Sequence, residues 1–210
     1  MRTDLRSVLC AAWWAALLLL ATFVVVPANA QPATQPAKAA KPNDPPNDPT
    51  DMPEFVMTEL RVQDFPAVTY LYTQQETTIG ELGQVIPGML QKLQEAIDSG
   101  EVKVTAAPLF IYDGTTGDMS KPFQLLVGFP VREGTKAPDG LQVKQLEPYH
   151  CATAIYSGAM EHVGEAYQKV FTDLFAAGLK PTGGSREMHM YFEGPESPNN
   201  IFQIQVAVQK

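Results

Sequence analysis

The chain is 210 residues long and acidic, with 15 basic against 23 acidic side chains and a formal net charge of −8. That balance excludes the basic face on which nucleic-acid binding depends and disfavours an anionic membrane surface. Of its two cysteines, Cys10 and Cys151, the first lies in an apolar leader, so a processed chain has no intramolecular disulfide.

Residues 1–30 read as a secretory signal peptide. Arg2 and Arg6 supply the positive start, Val8 to Val26 is almost uniformly apolar, and Ala28-Asn29-Ala30 gives a small-x-small cleavage pattern before Gln31. The protein is therefore expected to be exported, periplasmic or extracellular, with no membrane insertion after cleavage. The alternative is an uncleaved anchor, because the apolar run approaches the roughly 20 residues that span a bilayer. Cleavage would remove Arg2, Arg6 and Asp4, leaving 13 basic and 22 acidic groups, a net −9. Residues 31–53, centred on Asn43-Asp44-Pro45-Pro46-Asn47-Asp48-Pro49, lack apolar periodicity and read as a disordered proline-rich linker.

The folded part is expected over 54–210. Phe55–Val62 and Ala67–Thr73 alternate as strands. Thr78 and Glu81 form a capping box for a helix carrying Ile79, Leu82, Ile86, Met89, Leu90, Leu93 and Ile97, which Pro87 should kink or split and Gly100 should end. Strands follow around Pro108–Tyr112, Phe123–Val131, Leu141–Leu146 and Cys151–Tyr156. A second helix runs from about Met160 to Ala177. The strands Glu187–Phe192 and Phe202–Val208 finish the chain, and Thr182-Gly183-Gly184-Ser185 reads as a turn.

This order repeats. Tyr72-Thr73 and Ile79-Gly80-Glu81-Leu82 recur 84 residues later as Tyr156-Ser157 and Val163-Gly164-Glu165-Ala166, and Phe123-Gln124 recurs as Phe202-Gln203. The fold class is α+β: duplicated strand-helix-strand-strand modules, about 54–131 and 141–210, forming an antiparallel sheet with two main helices around a central pocket. A junction of two modules is a default place for a ligand.

Alternation on the last strands puts Met188, Met190 and Phe192 beneath a helix, with Glu187, His189 and Tyr191 on the other face. Phe202, Ile204, Val206 and Val208 face the core, and Gln203 and Gln205 do not. The polar face is either solvated or the floor of a ligand cleft. Tyr70 and Tyr72 share one face and Phe110 and Tyr112 another, adding rings with polar tips. The candidate ligand-binding set is thus Tyr70, Tyr72, Phe110, Tyr112, Glu187, His189, Tyr191 and Gln203. No nucleophile elbow or phosphate loop is present. His150, His162 and His189 are too scattered for a metal site, so neither metal nor cofactor is expected. Cys151 reads as a buried hydrophobe and His162 as a solvated first-turn residue.

Tyr156-Ser157-Gly158-Ala159-Met160-Glu161-His162-Val163-Gly164-Glu165-Ala166-Tyr167 resembles the strand-to-helix signature of GyrI-like, or AraC-type effector-binding, domains. Tyr191-Phe192-Glu193-Gly194-Pro195-Glu196-Ser197-Pro198 followed by Phe202-Gln203-Ile204-Gln205-Val206 resembles their C-terminal signature. The resemblance implies a central pocket for a small, often cationic or aromatic, organic molecule. The family commonly has an acid two positions before the strand tyrosine. Here that position is His189, and the nearest acid on its face is Glu187. Where relatives carry a DNA-binding helix-turn-helix, this chain has a signal peptide and tether, so the resemblance implies a small organic ligand and no nucleic acid. The leading reading is an exported binding domain that sequesters or senses a small hydrophobic or aromatic molecule. The alternatives are a hydrolase of strained electrophiles using Glu187, His189 and Tyr191, and a haem-binding protein similar to the SOUL type with His189 as ligand.

Overall fold

Val68–Thr77, rich in β-branched and aromatic residues, forms a ten-residue strand (β3) that organises the first half of the molecule. The computed structural model describes residues 54–210, so the expected leader and linker lie outside the described residues. Two short strands, β1 (Phe55–Met57) and β2 (Arg61–Phe65), precede β3. Then come α1 (Leu82–Asp98), β4 (Leu109–Asp113), β5 (Phe123–Val131), β6 (Gln142–Leu146), β7 (Tyr149–Gly158), α2 (Val163–Ala176), β8 (Pro181–Tyr191) and β9 (Ile201–Val208). All nine strands join one antiparallel sheet in the order β1-β7-β9-β8-β4-β5-β3-β6, with β2 also on β7. The pairing β7-β9-β8 mirrors β3-β5-β4, and the β4–β8 contact is the seam between them.

The expected single strand Phe55–Val62 is two strands. Between them Thr58 takes over the ladder, its amide donating to the Ile155 carbonyl at 3.0 Å and its hydroxyl accepting from the Ile155 amide at 2.9 Å. The Thr78–Glu81 cap is present: the Thr78 amide and hydroxyl both donate to the Glu81 carboxylate, at 3.1 and 3.0 Å. It caps a 3₁₀ turn, Ile79–Glu81, that leads into α1. Pro87 does not split α1. The carbonyl it leaves without a donor is that of Gly83, an exposed residue with no side chain, which water can reach. Gly183 and Gly184, expected in a turn, lie inside β8 with φ of 99° and 73°, at a register irregularity between Pro181 and Ser185.

The 84-residue offset does not carry through the fold. The turns before the helices begin at Ile79 and Met160 and the helices at Leu82 and Val163, an offset of 81. Gly80-Glu81 is therefore in a 3₁₀ turn while Gly164-Glu165 is in α2. Likewise β5 ends at Val131 and β9 at Val208, which sets Phe202 opposite in role to Leu125, not Phe123.

A short connection dictates the shape of the sheet. β2 pairs with β7, yet only Pro66-Ala67 separates it from β3, six strands away; β6 pairs with β3, yet only Glu147-Pro148 separates it from β7. Laid flat, six spacings of about 4.8 Å would put those strands about 29 Å apart. The three Cα steps from Phe65 to Val68 reach at most about 11 Å. The sheet must therefore roll until its ends meet.

The roll gives the sheet two buried faces. On the convex face α1 packs Ile86, Met89 and Leu93 against Leu71, Val127 and Phe129. Also there, α2 packs Ala166, Val170 and Leu174 against Ala154, Ile204 and Val206. The concave face encloses Tyr70, Tyr72, Leu109, Leu126 and Leu146. Gly128 is the tightest point of the first half, since a Cβ there would overlap the Leu71 carbonyl oxygen and sit 2.8 Å from Tyr72 Cα. Gly128→Ala should lower stability by more than about 3 kcal/mol, whereas Gly88→Ala, in open space on α1, should raise it by about 0.5–1 kcal/mol; chemical denaturation of the two variants checks both signs.

Candidate functional site

Strand β8 carries the candidate polar residues, and its register decides where they point. Glu187 lies opposite Ile204 of β9 and Phe110 of β4, and His189 lies opposite Phe202. All three partners belong to the helix-side cores or pack against them. The expected assignment of faces is therefore reversed: Glu187 and His189 sit on the helix face, while Met188 packs with Tyr70, Tyr72 and Leu109 on the other. The reversal is possible because the rolled sheet has no fully wet face, so a polar residue on either side must find a partner.

Glu187 finds three. The Tyr112 hydroxyl of β4 donates to Oε2 at 2.7 Å, the Tyr167 hydroxyl of α2 donates to Oε1 at 2.8 Å, and His189 Nε2 lies 3.0 Å from Oε2. The carboxylate side chain is 4 % exposed and the imidazole 9 %. Burial pushes the Glu187 carboxyl up, but the imidazole and the two hydroxyls outweigh it and hold it below its usual value. Burial first, and then the Glu187 charge, pushes the Tyr112 and Tyr167 hydroxyls well above theirs, so both remain donors. The His189 ring is sandwiched between Phe110, 4.3 Å between centroids, and Phe202, at 5.0 Å. This group lies where the α1 core meets the α2 core. The expected central pocket is here a packed junction of a carboxylate, an imidazole, two phenols and two phenyl rings.

The candidate set divides. Phe110, Tyr112, Glu187 and His189 come together at the junction. Tyr70 and Tyr72 do not: they stack on each other at 5.4 Å inside the roll, where the Tyr70 hydroxyl donates to the Leu109 carbonyl at 2.6 Å. Gln203 is also on the concave side, opposite Met188, and accepts from Gln205. Tyr191 follows a register shift after His189, is 43 % exposed, and donates to Glu193 at 2.6 Å. That bond, with those from Ser197 and Asn199, holds the Glu193 carboxyl down at about 2 and ties the β8–β9 loop together. Tyr191 thus lies apart from the contact between Glu187 and His189, in which His189 uses Nε2. Tyr167 was not among the expected residues. Its place at helical core spacing reads as packing, and only its hydroxyl hints at a buried partner.

Two open surface hollows, of about 440 and 280 Å³, are lined by none of the eight candidate residues. Cys151 is fully buried, and burial pushes its thiol up to about 12, so it behaves as a small hydrophobe. His162 differs from the expected solvated residue. Its side chain is 18 % exposed and faces Glu54, Glu161 and Glu165, and with Glu54 and Glu165 it brings possible metal-ligand atoms within 4.8 Å of one another. Among the described residues no helix is long and apolar enough to cross a membrane.

The Glu187 carboxyl is held below its unfolded value, so its contribution to stability is present above about pH 4.5 and is lost as pH falls through the folded value. Acid unfolding should therefore be steeper in the wild type than in Glu187→Gln below that pH. Tyr167→Phe, which removes one hydrogen bond to a buried charge, should cost about 1.5–3 kcal/mol at pH 7 by denaturant titration.

Comparison with known proteins agrees with this fold. The chain is 28% identical over 90 residues to the transcriptional regulator BrlR of Pseudomonas aeruginosa; the match covers 41% of this chain and spans only about a third (33%) of that relative. The solved EcmrR C-terminal domain has the same fold, with a TM-score of 0.58 at 14% identity over 72% of this chain and 98% of that one. SAV2435, solved bound to tetraphenylphosphonium, gives 0.53 at 15% identity over 72% and 94%. The model of the GyrI-like small molecule binding domain matches residues 58–209, nearly all of the described fold, and the chain belongs to that family.

Proposed function

We propose that the junction around Glu187 is the ligand site, and that its guest is a hydrophobic or aromatic organic molecule carrying a positive charge. One observation supports this above the rest: a carboxylate buried in an apolar junction and satisfied only by side chains that can move. An isolated buried carboxylate costs several kcal/mol, and here His189, Tyr112 and Tyr167 meet that cost. A cationic guest can take the place of the imidazole, keep the two phenol bonds and stack on Phe110 and Phe202. That SAV2435 was solved with an aromatic cation supports the same class of guest here.

The protein acts, on this reading, as a binding module that sequesters or senses its ligand after export on the 1–30 leader, held at the end of the 31–53 linker. The two halves, about 54–131 and 141–210, are read as tandem copies of one module, which places the site on their shared seam.

Calorimetric titration of the chain with tetraphenylphosphonium tests the site. Glu187→Gln should weaken binding at least ten-fold and His189→Ala should change affinity with the fold intact by circular dichroism. Equal affinity in wild type and Glu187→Gln would remove Glu187 from the site. Mass spectrometry of the exported protein should find Gln31 at its N-terminus.

A further inference from the structure

The concave face holds a second set of charges that the junction does not use. Arg186 of β8 points to that side, opposite Gln205 of β9 and Ile111 of β4. Its guanidinium carbon lies 3.7 Å from the centre of the Tyr149 ring. Lys144 of β6 reaches the same space from the far end of the sheet, its Nζ 4.8 Å from the centre of the Tyr72 ring. Both side chains share this face, since Lys144 lies opposite Tyr70 and Arg186 opposite Ile111; burial first, and then the Arg186 charge, holds the Lys144 ammonium below its usual value.

Both cations are partly buried. Neither forms an ion pair among the described residues, and the guanidinium is left with the Tyr149 ring as its partner there. Asp113 offsets part of the charge on Lys144 but is not within ion-pair distance. A partly buried guanidinium resting on a ring still presents a planar fork of N–H donors suited to an anion. Two like charges share this face, in a protein that is otherwise strongly acidic. Such a face is suited to an anion.

The surroundings define its body. Tyr70, Tyr72 and Tyr149 supply aromatic rings, and Ile111, Met188 and the 38 % exposed Ile155 supply an apolar wall on the same face. We propose that this concave face binds an organic anion, a carboxylate or similar group on an aromatic or alkyl body, with the head on Arg186 and Lys144. The site is separate from the Glu187 junction, on the opposite side of the same strand, and does not depend on the function assigned to that junction.

The test is calorimetric titration of the chain with 1-naphthoate and, in parallel, the uncharged 1-naphthamide. Naphthoate should bind at least ten-fold tighter than naphthamide, and its affinity should fall as sodium chloride is raised. Arg186→Met keeps an unbranched side chain of similar reach without the charge and should erase the preference. Lys144→Gln, on a partly exposed edge strand, should reduce it several-fold, and it serves where Arg186→Met fails to fold. Glu187→Gln should leave naphthoate affinity unchanged. Equal affinity for the acid and the amide in the wild type would overturn the proposal, as would naphthoate binding that survives both cation substitutions or that depends on Glu187.

Discussion

Four residue pairs join β4 to β8, from Leu109–Met188 to Tyr112–Ser185, and along them two hydrophobic cores share a boundary. Each core is complete on its own terms: a helix lays three apolar residues on a three-strand unit. At the boundary neither helix covers the sheet alone. The residues there must satisfy one another, and the chain has placed an acid at that point, not another aliphatic side chain. Glu187 is therefore a consequence of the seam as much as of the strand that carries it.

The seam explains why the acid is tolerable. A carboxylate has room for several donors, and it receives them from three different elements: β4 through Tyr112, α2 through Tyr167 and its own strand through His189. Two of these donors are phenols whose hydroxyls stay protonated across the physiological range. The third is the His189 imidazole, its Nε2 3.0 Å from Oε2. The acid is thus held by three side chains drawn from three elements.

Much of this was legible in the residues. Strand and helix order and the Thr78–Glu81 cap follow from patterning and turn chemistry, and four of the eight candidate residues, Phe110, Tyr112, Glu187 and His189, do come together. The side of the sheet did not, and the reason is physical. Alternation identifies two faces but says which is buried only when the other is wet. The short links at Pro66-Ala67 and Glu147-Pro148 close the sheet on itself, so both faces are interior, and Met188 finds an apolar home opposite the one expected. The same closure separated Tyr70, Tyr72 and Gln203 from the rest. Tyr191 was lost to a local register shift, which no periodicity reveals. The 84-residue repeat matched letters, not places, because α-helix starts and strand ends drift by a few residues between the halves.

The rings around His189 set a dimension. Phe110 lies on one side of the imidazole and Phe202 on the other, at 4.3 and 5.0 Å, and Phe202 is itself backed by Tyr156 at 4.6 Å. The slot between the two phenyl rings is one aromatic ring thick, and its far wall is braced by a second layer. A guest taking the imidazole's place, as proposed, would inherit that thickness. On the proposed reading flat groups would fit that slot and branched aliphatic ones would not, the two phenylalanines gauging shape beside the acid.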